Sequence, residues 1–407
     1  MNLNSSPQSI RVHIGLFGKR NAGKSSIINA ITNQQAAIVS NVPGTTTDPV
    51  FRPMEILPIG PCVLIDTAGL DDIGTLGEQR VNKSLDVLNK TDVALLVIDG
   101  SVGLSQEDLD LIKKFKLKNI PHLLILNKTD KVNNISKVLN SIKTLVKCPI
   151  SCVCATSRDG IENLKQDIIN IIPKDVGEFT LVSDLIEPND IVVLVIPIDK
   201  AAPKGRLILP QQQVTRDILD TGAIAIITKE DSLKETLSNL NKRPKLIITD
   251  SQAFHKVKED TPNDILLTSF SILFARQKGD INELIKGAYA IDKLKDGDKI
   301  LIAEGCTHHR QPDDIGTFKI PRMLERRSKK NLIFDFTSGI TLKDNLEQYA
   351  LIVHCGACMM NRAAMMSRIE KAKEVNIPIV NYGVLMAYAN GILDRTLEPF
   401  NLLETIK

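Results

Sequence analysis

Gly18-Lys19-Arg20-Asn21-Ala22-Gly23-Lys24-Ser25 is the stretch that decides the fold. It satisfies G-x-x-x-x-G-K-S, and its flanks give the pattern meaning. The aliphatic run Val12–Phe17 precedes it and predicts a strand; Ser26–Ile31 follows it and predicts a helix. The glycines let the backbone curl until its N–H groups face one centre, and the helix N-terminus adds its dipole. Such a cradle holds phosphate oxygens. Lys24 would neutralise β- and γ-phosphate charge, and Ser25 would ligate Mg²⁺. Asn21, Ala22, Gly23 and Ser26 are the loop's other expected nucleotide contacts. A coincidental glycine-rich turn is the bland alternative, and the strand and helix flanks argue against it.

Further motifs follow downstream. Asp66-Thr67-Ala68-Gly69 ends the predicted strand Val63–Ile65. Asp66 would hold Mg²⁺ through water, and the Gly69 N–H would sense a γ-phosphate. Asn127-Lys128-Thr129-Asp130 follows the predicted strand His122–Leu126. A carboxylate at Asp130 can accept from N1–H and N2–H₂ of guanine, a pattern adenine does not offer. The expected nucleotide is therefore GTP, not ATP. Between these motifs, Pro43-Gly44-Thr45-Thr46-Thr47-Asp48 reads as a switch segment. Thr46 is the candidate γ-phosphate-sensing Mg²⁺ ligand, with Thr45 next.

Short aliphatic strands alternate with amphipathic helices up to about Pro173, with Val93–Ile98 as another strand. That alternation predicts a mostly parallel sheet covered by helices. A second α/β pattern follows, with strands at Ile191–Pro197, Ala223–Thr228 and Lys245–Thr249. It carries no chemical motif and reads as a docking or dimerisation module. A third contains Lys299–Ala303, Asn331–Asp335, Ala350–His354 and Ile377–Asn381. The expected division is 1–175, 176–280 and 281–407.

Bulk properties narrow the class. Lys and Arg total 51 against 48 Asp and Glu, so no excess charge marks a nucleic-acid or anionic-membrane binder. Aromatics at 4% and the absence of Trp argue against a base-stacking platform. The N-terminus lacks the basic and apolar regions of a signal peptide, and no aliphatic run approaches the roughly 20 residues of a membrane span. A cytoplasmic protein is expected. Seven cysteines in such a chain suggest thiols or metal ligands over disulfides.

Three of those cysteines form a constellation: Cys306-Thr307-His308, then His354-Cys355-Gly356-Ala357-Cys358. C-x-x-C brings two thiolates to one site. Cys306 and Cys355 each follow a predicted strand, so both strands could end at one sheet edge and gather a third thiolate. Three thiolates without an evident fourth suit a [4Fe–4S] cluster with one exchangeable iron. Zinc on Cys₃His competes, because His308, His309 and His354 are adjacent. A thioredoxin-like pair would leave Cys306 and the histidines unexplained, and a structural cysteine trio is the plain alternative. Glu304, Asp313 and Asp314 could also reach an open iron. Cys62, Cys148, Cys152 and Cys154 read as structural, the last two sharing one strand face; a second metal site there is the alternative.

Asn21–Ser25 and Gly44–Asp48 resemble the TrmE–Era branch of GTPases. That resemblance implies a K⁺ ion, held by Asn21, in place of an arginine finger. Leu70 stands where a Ras-type enzyme has glutamine. Glu78, twelve residues after Asp66, matches the branch's water-positioning glutamate, though a solvated helix charge explains it equally. Cys154-Ala155 occupies the place of a Ser-Ala pair whose backbone contacts guanine O6.

The cysteine pattern combined with this GTPase set resembles the HydF family of [FeFe]-hydrogenase maturation across the whole chain. The implied fold is α/β: an N-terminal P-loop GTPase domain, a dimerisation domain and a cluster-binding domain. The implied cluster ligands are Cys306, Cys355 and Cys358, with His308 and His354 as a fourth ligand or as supporting donors. The implied function is a GTP-hydrolysing scaffold, a homodimer. It would carry a diiron precursor from the radical enzymes HydE and HydG to apo-hydrogenase. Alternatives are a TrmE-like GTPase of tRNA modification, a binding module with structural nucleotide, and a GTPase with structural zinc.

Overall fold

A computed structural model describes residues 8–32, 49–69, 83–173, 180–198, 207–305, 314–339, 342, 345–356 and 360–402. The chain divides into two compact units, Met1–Glu178 and Phe179–Lys407.

The first unit is built on six strands: β1 Val12–Phe17, β2 Val50–Ile56, β3 Gly60–Asp66, β4 Val93–Asp99, β5 His122–Asn127 and β6 Ile150–Cys152. Their order is β2-β3-β1-β4-β5-β6. Among the described residues only β2 runs antiparallel, pairing Arg52 with Leu64 of β3. Strands such as β1 (VHIGLF) are buried along their whole length, as expected for a parallel sheet covered on both faces. Ile14, Leu16, Leu64 and Leu95 enter one core, with Ile27 and Ile28 of the helix Lys24–Thr32. Phe17, Val63, Ile65 and Leu96 enter the other, with Phe115 of the helix Gln106–Leu117. Because successive side chains point to opposite faces, each strand serves both cores.

The second unit holds two four-stranded parallel sheets. One has the order β10-β9-β7-β8, from β7 Ile191–Val195, β8 Ile224–Thr228, β9 Leu246–Thr249 and β10 Leu266–Ser269. The other has β12-β11-β13-β14, from β11 Lys299–Glu304, β12 Ile333–Ser338, β13 Leu351–His354 and β14 Ile379–Asn381. The segments 176–280 and 281–407 each supply one sheet. One core joins them, running from Val193 and Ile247 through Leu284 to Ile302, Val353 and Val380. β11 and β13 are neighbours, with Ala303 opposite His354. Their carboxyl ends therefore bring Glu304-Gly305 beside His354-Cys355.

Candidate functional site

In the first unit the motif residues gather at the carboxyl ends of β1, β3, β4 and β5, the edge where open α/β sheets take ligands. Gly18 has φ +138°, and a Cβ there would come within 2.2 Å of the Val97 carbonyl oxygen. Gly23 has φ +98°, and a Cβ would meet Asn127 Nδ2 at 2.2 Å. The loop's curl and its close seat on β4 and β5 thus both require glycine. Lys24 is buried; its Nζ donates to the Gly18 and Lys19 carbonyls, each at 2.9 Å. Asn21 is exposed in the left-handed region, φ +62°, and its carbonyl accepts from Lys128 Nζ at 2.6 Å.

Ser25 Oγ donates to Asp66 Oδ2 at 2.6 Å. The other carboxylate oxygen, Oδ1, is buried without a hydrogen-bond partner among the described residues. Burial raises the Asp66 pKa; the Ser25 hydrogen bond and the Lys24 charge oppose it. A hydroxyl beside a carboxylate with one uncommitted buried oxygen is a donor set for a hard cation such as Mg²⁺. Gly69 lies against the loop: a Cβ there would meet Arg20 N at 2.8 Å. Thr46 and Glu78 lie outside the described residues.

The guanine end is organised by Asn127. Its Nδ2 donates to the Ala22 carbonyl at 2.9 Å, and its Oδ1 accepts from Ala155 N at 3.1 Å. One buried amide thereby ties the phosphate loop to the base-binding loops. The Cys154 thiol donates to Asp130 Oδ1 at 3.2 Å. It lies past β6, buried, while Cys152 ends that strand half-buried against the core around Phe17 and Phe115.

Sequence reading missed Asp99. Its Oδ2 accepts from Lys128 Nζ at 2.6 Å, bracing the lysine of the base motif. Burial would raise its pKa, but Lys128 and Ser101 outweigh burial and lower it. The available signal was a carboxylate ending β4, the same placement as Asp66 on β3.

In the second unit, Cys355 Sγ accepts the Gly305 N–H at 3.1 Å. A Cβ at Gly305 would stand 3.7 Å from that sulfur and 2.5 Å from Met360 Sδ, so a larger residue there would have to displace the Met360 side chain. An N–H aimed at a cysteine sulfur is the support a metal-bound thiolate takes. His354 is fully buried; its Nδ1 donates to the Cys355 carbonyl at 2.7 Å and its Nε2 accepts from Arg368. Both ring nitrogens of His354 are engaged in hydrogen bonds. Glu304 is buried at the end of β11, and Asp314 caps the turn Ile315–Lys319 through Gly316 N at 3.0 Å. Cys306, His308, His309, Asp313 and Cys358 lie outside the described residues. Among the described residues no three His, Cys, Asp or Glu side chains converge on a metal-sized site, and no helix is long and apolar enough to cross a membrane.

A glycine-lined phosphate loop, a Ser–Asp cation pair and an Asn-Lys-x-Asp base motif on one sheet edge define a P-loop GTPase domain. The family model described as 50S ribosome-binding GTPase matches residues 13–128. The Hydrogen maturase F dimerization domain matches residues 181–279 and its tetramerization domain residues 282–399, together more than half of the chain. The chain belongs to the hydrogen maturase F family. Among curated proteins, the tRNA modification GTPase MnmE of Desulforamulus reducens is 34% identical over 177 residues, 43% of this chain and 37% of that protein. GTPase Der of Persephonella marina is 34% identical over 178 residues, 39% of this chain and 38% of that protein. The chain thus spans little more than a third of the length of these relatives. A crystal structure of Aquifex aeolicus Era bound to GDP and aluminium fluoride is 18% identical, with TM-score 0.37, covering 60% of this chain and 97% of that one.

Proposed function

We propose that this chain is a hydrogenase-maturation GTPase that hydrolyses GTP with Mg²⁺ and carries a [4Fe–4S] cluster at the β11/β13 edge. In this reading Lys24, Ser25, Thr46 and Asp66 hold the phosphates and Mg²⁺. Asn127, Lys128, Asp130, Cys154 and Ala155 hold guanine. Asn21 supplies an oxygen to K⁺, and Glu78 positions water. Cys306, Cys355 and Cys358 hold the cluster, which when bound offers one exchangeable iron for a diiron fragment.

The observation that carries the cluster reading is the pairing of β11 with β13, which sets the residue before Cys306 against the Cys355 sulfur. The division into a nucleotide region 1–175, a dimerisation region 176–280 and a cluster region 281–407 belongs to the same proposal. HydE and HydG would supply the fragment and apo-hydrogenase would receive it. Nucleotide state would control their association or release, since switch segments order around a γ-phosphate and relax after hydrolysis. The tRNA-modification relatives match less than half of this chain and little more than a third of their own length, so a tRNA substrate does not carry over from them.

The test is anaerobic reconstitution. Wild-type protein should turn brown and hold iron and sulfide in similar amounts, and Cys355→Ser should lose most of both. Zinc without sulfide would sink the cluster reading. GTP turnover should rise in K⁺ over Na⁺, and equal rates would remove Asn21 from its role.

A further inference from the structure

Two non-glycine residues of the nucleotide edge sit in left-handed backbone and meet through one bond. Lys128 has φ +59° and Asn21 φ +62°. The Lys128 ammonium donates to the Asn21 carbonyl at 2.6 Å. Such backbone is costly for a side chain larger than glycine and persists where the surroundings hold it. Asp99 supplies that hold. It ends β4 in register with Asn127 on β5, so its carboxylate stands beside Lys128. Oδ2 accepts from Lys128 Nζ at 2.6 Å. Oδ1 accepts from Ser101 N at 3.0 Å and from Ser101 Oγ at 2.6 Å. The side chains of Lys128 and Asp99 are 26% and 20% exposed, so the pair is not a freely solvated one.

Two of the ammonium's three N–H groups are thus spent, one on β4 and one on the phosphate loop. A lysine on its flexible four-carbon stem keeps one geometry only when more than one point holds it. We propose that Asp99 is a positioning residue for GTP: by gripping Lys128 it locks the base motif onto the phosphate loop, and so sets nucleotide affinity and not the rate of the chemical step. The inference rests on the reading of Asn127–Asp130 as the guanine site. Asn127 ties the same loops by a separate route, through the Ala22 carbonyl and Ala155 N. Loss of Asp99 therefore loosens the site without dismantling it. Order in the binding loops helps the bound substrate and the transition state alike, so KM moves and kcat does not.

The test uses the full-length wild type, D99A, D99N, K128M, the double variant D99A/K128M, S101A and D110N. Steady-state GTP turnover is measured, with release of a fluorescent GDP analogue. D99A should raise KM and the release rate about tenfold, with kcat within about twofold of wild type. D99N keeps the shape and one neutral acceptor; it should fall between, and it serves where D99A does not fold. K128M should weaken GTP at least as much as D99A. Adding D99A to K128M should change KM no further, because the partner is already gone. S101A leaves the oxygen that Lys128 uses and should stay near wild type. D110N, at an exposed position paired with Lys113, should match it. A wild-type KM in D99A overturns the proposal, as does a fall in kcat at unchanged KM, or additive effects of D99A and K128M. If K128M alone binds GTP like wild type, the base-site reading falls and takes this inference with it.

Discussion

At the residue scale, Asp130 is the narrowest point of nucleotide selection. In the proposed reading its carboxylate accepts two guanine donors, and the Cys154 thiol holds one of its oxygens at 3.2 Å. Asp130→Asn replaces an acceptor by a donor and leaves one guanine N–H unmatched. A hydrogen bond to a charged group is worth about 1.5–3 kcal/mol, so the one lost bond weakens GTP roughly 10- to 150-fold. The same change suits xanthine, which carries a carbonyl at that edge. Titration with fluorescent GTP and XTP should show the exchange; an Asp130→Asn protein that still prefers GTP would refute the base assignment. Cys154→Ser, keeping a donor, should bind GTP like wild type, and Cys154→Ala a few-fold more weakly. Cys62 is a contrasting thiol. Burial pushes its pKa to about 11. At pH 8 roughly one molecule in a thousand then carries the thiolate. Mass spectrometry after brief iodoacetamide treatment should find Cys62 unmodified in the native protein and modified in urea.

At the element scale, close approach outweighs propensity. The helix Ile281–Ala290 packs on β14 through Gly287, where a Cβ would meet the Ile379 carbonyl oxygen at 2.0 Å. Alanine is the better helix former by about 1 kcal/mol. The contact is with backbone, which cannot rotate away, and overpacking costs about 1–3 kcal/mol or more. Gly287→Ala should therefore destabilise the second unit in urea titration; a gain in stability would mean that the helix and strand are not so close. The same contrast explains what the sequence revealed. β1 and the strand of the base motif were legible because continuous aliphatic runs end in motif residues. β2 was not, because VFRPMEI alternates charge, proline and apolar residues along an edge that needs no continuous burial. β6 (ISC) and β10 (LLTS) are too short to show a period. The phosphate loop and the base motif were legible from local spacing alone. Asp99 and Arg368 were not, because each acts on a residue distant in sequence, and only the fold brings Arg368 onto His354.

At the scale of the whole molecule, each unit is closed by cores of its own. The first is filled around Leu16, Leu95 and Ile125 on one face and Phe17, Leu96 and Phe115 on the other. The second is filled around Val193, Ile302 and Val353, and around Leu194, Ile248 and Phe270. Units with separate cores can melt separately, so calorimetry should resolve two transitions. A ligand stabilises only the unit that binds it, by about 2.7 kcal/mol at a hundred times its dissociation constant. For units of this size that is a rise of roughly 5–10 °C. Mg²⁺ with a non-hydrolysable GTP analogue should lift one transition by this amount, and Gly23→Ala should abolish the lift while leaving the other transition in place. Iron–sulfur reconstitution should lift the second transition alone. If nucleotide raises both transitions equally, the two units are coupled in the ground state, and control of partner binding by GTP must then run through a change in their joint stability, not through the switch segments acting on the partner directly.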